Sequence, residues 1–364
     1  MQSKNLINMK KIKLIIVLLL VYISNLHAQT NADSLLNYII THKAQASLYL
    51  RSNDTVIAKL NENKQMPLAS TVKILVAIEF ARQAARHDID ENTMVALKDL
   101  DRYYLPYTDG NAHPDWLSYE KSIGHIISDS VILLNVARGM IQFSSNANTE
   151  YLMDLLGLDK IQNVATTLKV EKHSKVYPIV SSLFMYQNPK KLAEDKVLKG
   201  INKLTEEQYC RFIYDIHKAL ANDTLLKPKF RPQDLSVKMQ RMWSAKLTAS
   251  STMEYVKICN ALNNRAYYDE ETYAILSLVL ETLMENPANK KWLKHAGAKG
   301  GSTAWVLTKA TYATTTDNKR IELAYFFNNL NPADNDKLQG WMNDFELSII
   351  AKPSFRKKVM DAFK

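Results

Sequence analysis

The fold is decided by residues 46–75, which read ASLYLRSNDTVIAKLNENKQMPLASTVKIL. Two apolar runs flank the polar residues RSND at 51–54, and this pattern predicts a β-hairpin. A helical pattern begins near Ser70, and Lys73 follows three residues later. Residues spaced by three lie on one face of a helix, one turn apart. The stretch therefore predicts a hairpin followed by a helix that presents a serine and a lysine together.

The other patterns place strands at the two ends of the chain and helices between them. Helical spacing of apolar residues runs through the middle of the chain and is interrupted by a turn-rich segment at 106–116. Strand patterns return only at 298–313 and 321–328, before a closing helix at 336–350. Strands and helices therefore do not alternate as in βαβ proteins. We predict an α+β fold, with an antiparallel sheet built from both chain ends and flanked by helices, plus an all-helical lobe.

Composition and charge exclude several classes of protein. The 364 residues are 46% hydrophobic and 23% charged, as in globular proteins and unlike disordered, collagen-like or coiled-coil chains. The net charge is +10, but the basic residues are interspersed with acids, and no basic run with aromatics indicates nucleic-acid binding. The histidines lack metal-binding spacing, and Asp109, His113 and Asp115 fit a hydrogen-bonded loop better than a metal site. We expect no metal and no organic cofactor.

The N-terminus predicts an export signal. Residues 1–28 contain four lysines, no acid and an apolar run at 14–23, and they end at the small residue Ala28. The run is shorter than the roughly 20 residues that span a bilayer. We expect a cleavable signal peptide, a periplasmic or secreted protein and no transmembrane span after cleavage; an uncleaved anchor is the alternative. Export permits a disulfide between Cys210 and Cys259, and buried free thiols are the other interpretation.

Three short motifs carry the candidate chemistry. In the first, Ser70 needs a base, and Lys73 serves if burial and nearby cations lower its pKa. The helix N-terminus there supplies N–H groups for a developing oxyanion. The second motif reads S-S-N, in which Ser144 and Asn146 place a hydroxyl beside a carboxamide. The third, K-G-G-S at 299–302, combines a cation with a backbone that a ligand can approach closely. Alone, each motif also fits an ordinary helix start, helix cap or turn.

Together, the order and spacing of these motifs resemble the serine β-lactamase and D,D-peptidase superfamily, most closely its class A-like branch. The resemblance covers about residues 32–347. It implies a β-lactamase/transpeptidase-like fold in which Ser70 is acylated, Lys73 is the general base and Ser144 passes a proton to the leaving nitrogen.

The same resemblance implies a set of substrate-binding residues. Asn146 would orient the substrate, and Lys299 would hold its carboxylate. Gly301 and Ser302 would line the substrate-binding site, and the backbone N–H groups of Ser70 and Ser302 would form the oxyanion hole.

The chain departs from the family pattern at three places. Ser145 stands where the family usually has Asp, and Gly300 where it usually has Thr or Ser. Class A enzymes release the acyl group with a glutamate in an E-x-x-L-N loop, whereas the corresponding residues 176–184 contain no acid. Glu171 and His173 are the candidate substitutes. Without a base that activates water, the acyl-enzyme would be long-lived.

The chain is also longer than its relatives between that loop and the third motif. Residues 190–245 predict a helical insertion, which adds packing, reshapes the cleft or docks a partner. Tyr103, Tyr104 and Trp116 are candidates for a cleft wall or for core packing. We expect residues 29–364 to form one catalytic domain of two lobes that acts as a monomer.

The first functional hypothesis is an exported serine hydrolase, a class A-like β-lactamase that acts on β-lactam amides. The alternative is a D,D-peptidase, penicillin-binding protein or esterase with slow deacylation, acting on a peptidoglycan-like substrate. A non-catalytic periplasmic binding module is the alternative from another class. In each case we expect a small-molecule ligand and no nucleic-acid partner.

Overall fold

A computed structural model describes residues 30–223 and 225–364 of the chain. The predicted signal peptide, residues 1–28, lies outside the described residues. Among the helices of the described residues, none is both long enough and apolar enough to cross a membrane.

The strands, in chain order, are β1 (Ala46–Ser52), β2 (Thr55–Leu60), β3 (Met66–Pro67), β4 (Met94–Ala96), β5 (Ser130–Ile132), β6 (Ala249–Ser250), β7 (Leu293–Ser302), β8 (Val306–Thr315) and β9 (Arg320–Asn328). The helices are α1 (30–41), α2 (Lys73–Ala85), α3 (Leu97–Asp101), α4 (Ala112–Ser122), α5 (Leu133–Gln142), α6 (Asn146–Leu156), α7 (Leu158–Thr167), α8 (Ile179–Leu183), α9 (Glu194–Asn202), α10 (Glu206–Asn222), α11 (Val237–Lys246), α12 (Thr252–Asn264), α13 (Glu270–Leu280), α14 (Pro287–Lys290), α15 (Pro332–Ala351) and α16 (Pro353–Ala362).

The main sheet has five strands in the order β2-β1-β9-β8-β7, and each neighbouring pair is antiparallel. β1 and β2 form the predicted hairpin, and its turn residues Asn53 and Asp54 adopt φ angles of 47° and 66°. Positive φ at both central residues is typical of a tight hairpin turn. β9 joins this hairpin to the C-terminal strands, with Tyr325 opposite Leu48. The predicted α+β fold, with a sheet from both chain ends, is confirmed.

The strand pattern at 298–313 is not one strand but the core of a hairpin. β7 ends at Ser302, and β8 begins at Val306 after a reversal at Thr303. The Oγ1 atom of Thr303 accepts hydrogen bonds from the N–H groups of Trp305 and Val306, both at 3.2 Å. A Thr hydroxyl that satisfies backbone donors stabilises such a turn. The reversal leaves the K-G-G-S motif at the end of β7.

Both faces of the sheet are buried. On β9, Leu323, Tyr325 and Phe327 belong to the core that contains residues of α1, α15 and α16. Ala324 and Phe326 belong to the other core, with residues of α2 and α12. Successive side chains of a strand point to opposite faces, so one strand contributes to both cores.

α2 is the central helix of the all-helical lobe. Eleven of its thirteen residues are buried, and it packs against α5, α6, α7 and α13. A helix that is buried on all sides needs partners for its polar groups. Glu79 supplies an example, because it accepts hydrogen bonds from Arg82 and Gln83, both at 2.9 Å. The packing holds the start of α2, where the first motif lies, in a fixed place.

The segment 190–245 contains α9, α10 and most of α11, as its helical pattern predicts. Its apolar residues, such as Ile213 and Met239, form a separate core with Tyr186 and Leu183 near α8. Both cysteines of the chain are free thiols; the one in α12 is buried and the one in α10 is half-buried.

Candidate active site

A cavity of about 850 Å³ lies between the start of α2, the loop before α6 and the end of β7. Ser70 lies in its wall, in a 3-10 turn, Ala69–Val72, that leads into α2. Ala69 adopts a φ angle of 45°, which costs energy for any residue with a side chain. Such strain, next to a half-buried serine at a helix N-terminus, is typical of functional sites.

β7 approaches the backbone of Ser70 so closely that only glycine fits at position 301. A Cβ atom on Gly301 would lie 2.6 Å from the carbonyl oxygen of Leu68 and would also clash with the amide nitrogen of Ser70. Thr308 on β8 fixes this contact, because its hydroxyl donates to the Leu68 carbonyl oxygen at 2.7 Å. Ser302, the next residue of β7, lines the cavity. The backbones of Ser70 and Ser302 thus flank the same space.

Lys73 is fully buried, one turn after Ser70. Its Nζ atom lies 2.7 Å from the carbonyl oxygen of Ser144, 3.2 Å from the Ser144 hydroxyl and 2.8 Å from Oδ1 of Asn146. Burial lowers the pKa of Lys73 well below its ordinary value, and the positive charge of Lys299 lowers it further. A lowered pKa favours the neutral form of an amine, which can accept a proton.

The loop before α6 presents Ser144 and Asn146 to the cavity. Ser144 has a φ angle of 69°, which turns the chain sharply before the helix. The hydroxyl of Ser145 accepts the N–H of Asn148 at 3.2 Å and caps α6. The same hydroxyl lies 2.9 Å from Nδ1 of His113, and burial lowers the pKa of His113 to about 4. A neutral imidazole therefore holds this loop from behind.

Lys299 contributes a buried amine from β7 and lines the cavity. Its Nζ atom donates to the carbonyl oxygen of Gly300 at 2.9 Å. Burial lowers the pKa of Lys299 to about 7, and the charge of Lys309 adds to this effect. An anion in the cavity would stabilise the charged form of Lys299. The site therefore combines a serine hydroxyl with two buried amines whose pKa values are lowered.

A family model described as the beta-lactamase enzyme family matches residues 31–261, which is more than half of the chain and includes the first two motifs. The chain belongs to the beta-lactamase enzyme family. It is accordingly a β-lactamase-like serine hydrolase. No curated protein matches the sequence.

Solved β-lactamase structures share the fold. One from Sphaerobacter thermophilus has a TM-score of 0.54 at 15% identity, covering 89% of this chain and 97% of the other. One from Chitinophaga pinensis has a TM-score of 0.53 at 14% identity, covering 88% and 99%. A class A β-lactamase representative from Bacteroides cellulosilyticus has a TM-score of 0.50 at 13% identity, covering 92% and 98%. At these identities the likeness concerns the fold alone.

The residues that the β-lactamase resemblance singles out meet at the cavity. Those that line it are Ser70, Ser144, Asn146, Lys299, Gly301 and Ser302. Lys73 lies directly behind Ser144 and Asn146. The two candidate substitutes for the loop glutamate lie elsewhere. Glu171 is exposed, and His173 bonds to the carbonyl oxygen of Ser174, so neither lines the cavity.

Of the two interpretations of the aromatic residues before the second motif, a cleft wall or packing, the structure supports packing. Tyr103 and Trp116 are core residues, and Tyr104 does not line the cavity. The segment 106–116 is also not all turn, because α4 begins at Ala112. Tyr107, which is 92% exposed, lines the cavity instead. Sequence patterns cannot separate neighbouring tyrosines of one loop, since only the loop path decides which of them points inward.

Asp109 is a cavity residue that the sequence analysis assigned to a hydrogen-bonded loop with His113 and Asp115. Its Oδ2 atom accepts the N–H of His113 at 3.0 Å, while Asn111 donates to Asp115 at 2.6 Å. These contacts are those of a hydrogen-bonded loop. Asp109 nevertheless lines the cavity together with Ser70. No pattern in the sequence marks this placement, which depends on the fold of the loop.

Proposed function

We propose that this family member is an exported hydrolase that forms an acyl-enzyme at Ser70 and acts on β-lactam amides. The observation that carries the proposal is the buried amine of Lys73, which contacts Ser144 and Asn146 behind the cavity of Ser70. A buried lysine without a carboxylate partner favours its neutral form, which is the form that a general base needs.

Acylation begins when Oγ of Ser70 attacks the carbonyl carbon of the lactam and its proton passes to the neutral amine of Lys73. The helix N-terminus at Ser70 and the adjoining end of β7 supply positive partial charge to the oxyanion that forms. Each hydrogen bond to a developing oxyanion lowers the barrier by about 3 kcal/mol. The backbone N–H groups of Ser70 and Ser302 have this role in the proposal.

The ring then opens as the bond between the carbonyl carbon and the lactam nitrogen breaks. The hydroxyl of Ser144 gives its proton to the nitrogen and takes the proton held by Lys73, from which it lies 3.2 Å away. The result is a Ser70 ester and a neutral Lys73. Asn146 accepts a hydrogen bond from Lys73 at 2.8 Å and lines the cavity, so it orients both the base and the substrate.

The substrate class follows from Lys299. A cation that is mostly buried and has a pKa of about 7 binds best to a ligand with its own negative charge, such as the carboxylate of a penicillin. Within the proposal, the signal pattern at 1–28 directs the chain to the periplasm or outside the cell. Residues 29–364 form one catalytic domain that acts as a monomer, which light scattering would check.

A D,D-peptidase or esterase with slow deacylation is the second candidate. It is favoured by the acid-free segment 176–184 and by the positions of Glu171 and His173 outside the cavity. The same acylation steps serve it, and only the lifetime of the ester differs. The non-catalytic binding module has lost its support, because the family is one of enzymes.

Mass spectrometry of the intact protein after mixing with penicillin tests the proposal. We expect a mass increase of one penicillin that is absent from Ser70→Ala. Ser302→Ala is the matched control, since it removes a cavity hydroxyl but keeps the backbone N–H, and it should still be labelled. A transient adduct with nitrocefin turnover supports a β-lactamase, and a lasting adduct supports the second candidate. Absence of any adduct and of any turnover would reject both.

A further inference from the structure

The acid-free segment raises the question of which group activates water once the Ser70 ester has formed. A carboxylate is suited to this step if it lies in the cavity and has an oxygen free to accept a proton. Among the described residues that line the cavity, the carboxylates are Asp109 and Asp115. A third acid, Glu150, is buried behind the cavity. The contacts of these three residues decide which of them can activate water.

Asp115 does not fit the requirement. It is exposed to solvent and takes a hydrogen bond from the Asn111 amide at 2.6 Å. Asp115 is therefore a surface group at the edge of the cavity.

Glu150, on α6 behind the cavity, is also unsuited. It is fully buried, does not line the cavity and has both oxygens occupied. Oε1 accepts the N–H of Ser181 at 2.9 Å, and Oε2 accepts the Ser181 hydroxyl at 2.6 Å. His217 lies 3.2 Å from Oε2 and forms an ion pair with it. Removing this carboxylate from its partners to reach water would break a buried network.

Asp109 meets both requirements. Its Oδ2 atom is held by the N–H of His113, whose ring also contacts Ser145, so the carboxylate is fixed to the S-S-N loop. Its Oδ1 atom is buried and has no hydrogen-bond partner among the described residues. A buried acceptor of this kind favours a donor such as water. Burial raises the pKa of Asp109, while the backbone N–H groups of His113, Asn111 and Asn146 and the charge of Lys73 act in the opposite direction.

We propose that Asp109 is the base that activates water for release of the acyl group from Ser70. The inference rests on the proposed function, since it requires the Ser70 ester. Water attacks the ester carbonyl carbon and loses a proton to Oδ1 of Asp109. The bond between that carbon and Oγ of Ser70 then breaks, and Oγ takes up the proton by way of Lys73. Ester and water are thereby converted to a free carboxylic acid and the original serine.

The test follows formation and decay of the penicillin adduct by rapid-mixing mass spectrometry in the wild type and in Asp109→Asn. We expect similar acylation and a deacylation rate at least about 100-fold lower in the variant, as for loss of a general base. Normal acylation shows that the variant is folded and its Ser70 site intact. Asp109→Glu should recover part of the deacylation rate, and Asp115→Asn, an acid of the same cavity, should deacylate like the wild type.

This experiment distinguishes failure of the proposed Ser70 mechanism from failure of the proposed role of Asp109. A wild type that is never acylated rejects the Ser70 mechanism itself. A wild type that is acylated but holds the adduct indefinitely overturns the role of Asp109 and leaves acylation standing. Equal deacylation rates in the wild type and Asp109→Asn also overturn the role of Asp109. That role is likewise overturned if Glu150→Gln, and not Asp109→Asn, traps the adduct.

Discussion

The contacts of His217 on α10 allow a quantitative test of how much the helices of segment 190–245 stabilise the protein near the site. Its ring is fully buried between two acids of α6. Nδ1 lies 3.2 Å from Oε2 of Glu150, and Nε2 lies 3.7 Å from Oδ1 of Asp154. The ring also stacks on Tyr103 with centroids 4.9 Å apart. Burial alone would lower the pKa of His217, but the nearby carboxylates of Asp154 and Glu150 raise it to about 9.

The size and sign of the effect follow from this pKa. The ordinary histidine value is 6.5, so the folded state holds the proton more tightly than the unfolded state. At about 1.4 kcal/mol per pH unit, the difference corresponds to about 3 kcal/mol of stability. Because the folded pKa is the raised one, the stabilisation is complete below pH 6.5 and is lost as the pH rises through 9. Removing one partner of a buried ion pair lowers the free energy of unfolding by a similar amount.

Urea unfolding of the wild type and His217→Gln between pH 6 and pH 10 measures this contribution. Gln keeps a polar side chain but carries no charge. We expect the difference in unfolding free energy to be greatest at pH 6 and to shrink by about 3 kcal/mol by pH 10. Lys299 also titrates in the folded state within this range, but it is present in both proteins and cancels in the difference. A difference that stays constant over this range would refute a charged His217.

Two further predictions concern β7. In the Ser70→Ala background, which isolates binding, the affinity for a penicillin should fall about tenfold from pH 6 to pH 9. The reason is that Lys299, with its pKa of about 7, loses its charge over this range. Calorimetry measures the affinity, and a constant value would contradict the prediction. Gly301→Ala should acylate at least about 100-fold more slowly, because the Cβ atom meets the backbone at Leu68 and Ser70. Gly300→Ala is the control for this variant. The atom nearest to a Cβ at position 300 is a side-chain carbon of Lys309 at 3.3 Å, so near-normal acylation is expected. An equal loss of acylation in both variants would refute the steric argument.

The parts of the fold that the sequence predicts well are those with local signals. The hairpin of β1 and β2 has alternating apolar residues and turn residues at Asn53 and Asp54, where the structure has positive φ. The start of α2 follows from the apolar spacing after Ser70. The turn at Thr303 was missed because a threonine turn without glycine or proline resembles a continuous strand.

The site was predictable only in part for a different reason. Its motifs are local, so Ser70, Ser144 and Lys299 are found by spacing. The sequence suggests that the Asn146 amide can hold Lys73, but the 2.8 Å contact joins two helices, so its geometry depends on the fold. The same is true of Asp109, whose entry into the cavity depends on the path of a loop. Patterns of sequence identify groups able to react, whereas burial decides which of them have shifted pKa values.

Ser145 and Asp109 are linked through the same residue, His113. Oγ of Ser145 lies 2.9 Å from Nδ1 of the His113 ring, and Oδ2 of Asp109 accepts the backbone N–H of His113 at 3.0 Å. Because the pKa of His113 is lowered to about 4, its ring carries no charge that would compensate a second acid. An aspartate at 145, as the family usually has, would bring a second carboxylate to the same histidine, at a position that is fully buried. Like charges that share a buried site raise the pKa of one carboxyl, and a protonated Asp109 would accept no proton from water. A hydroxyl at 145 keeps the helix cap on α6 and leaves the negative charge to Asp109.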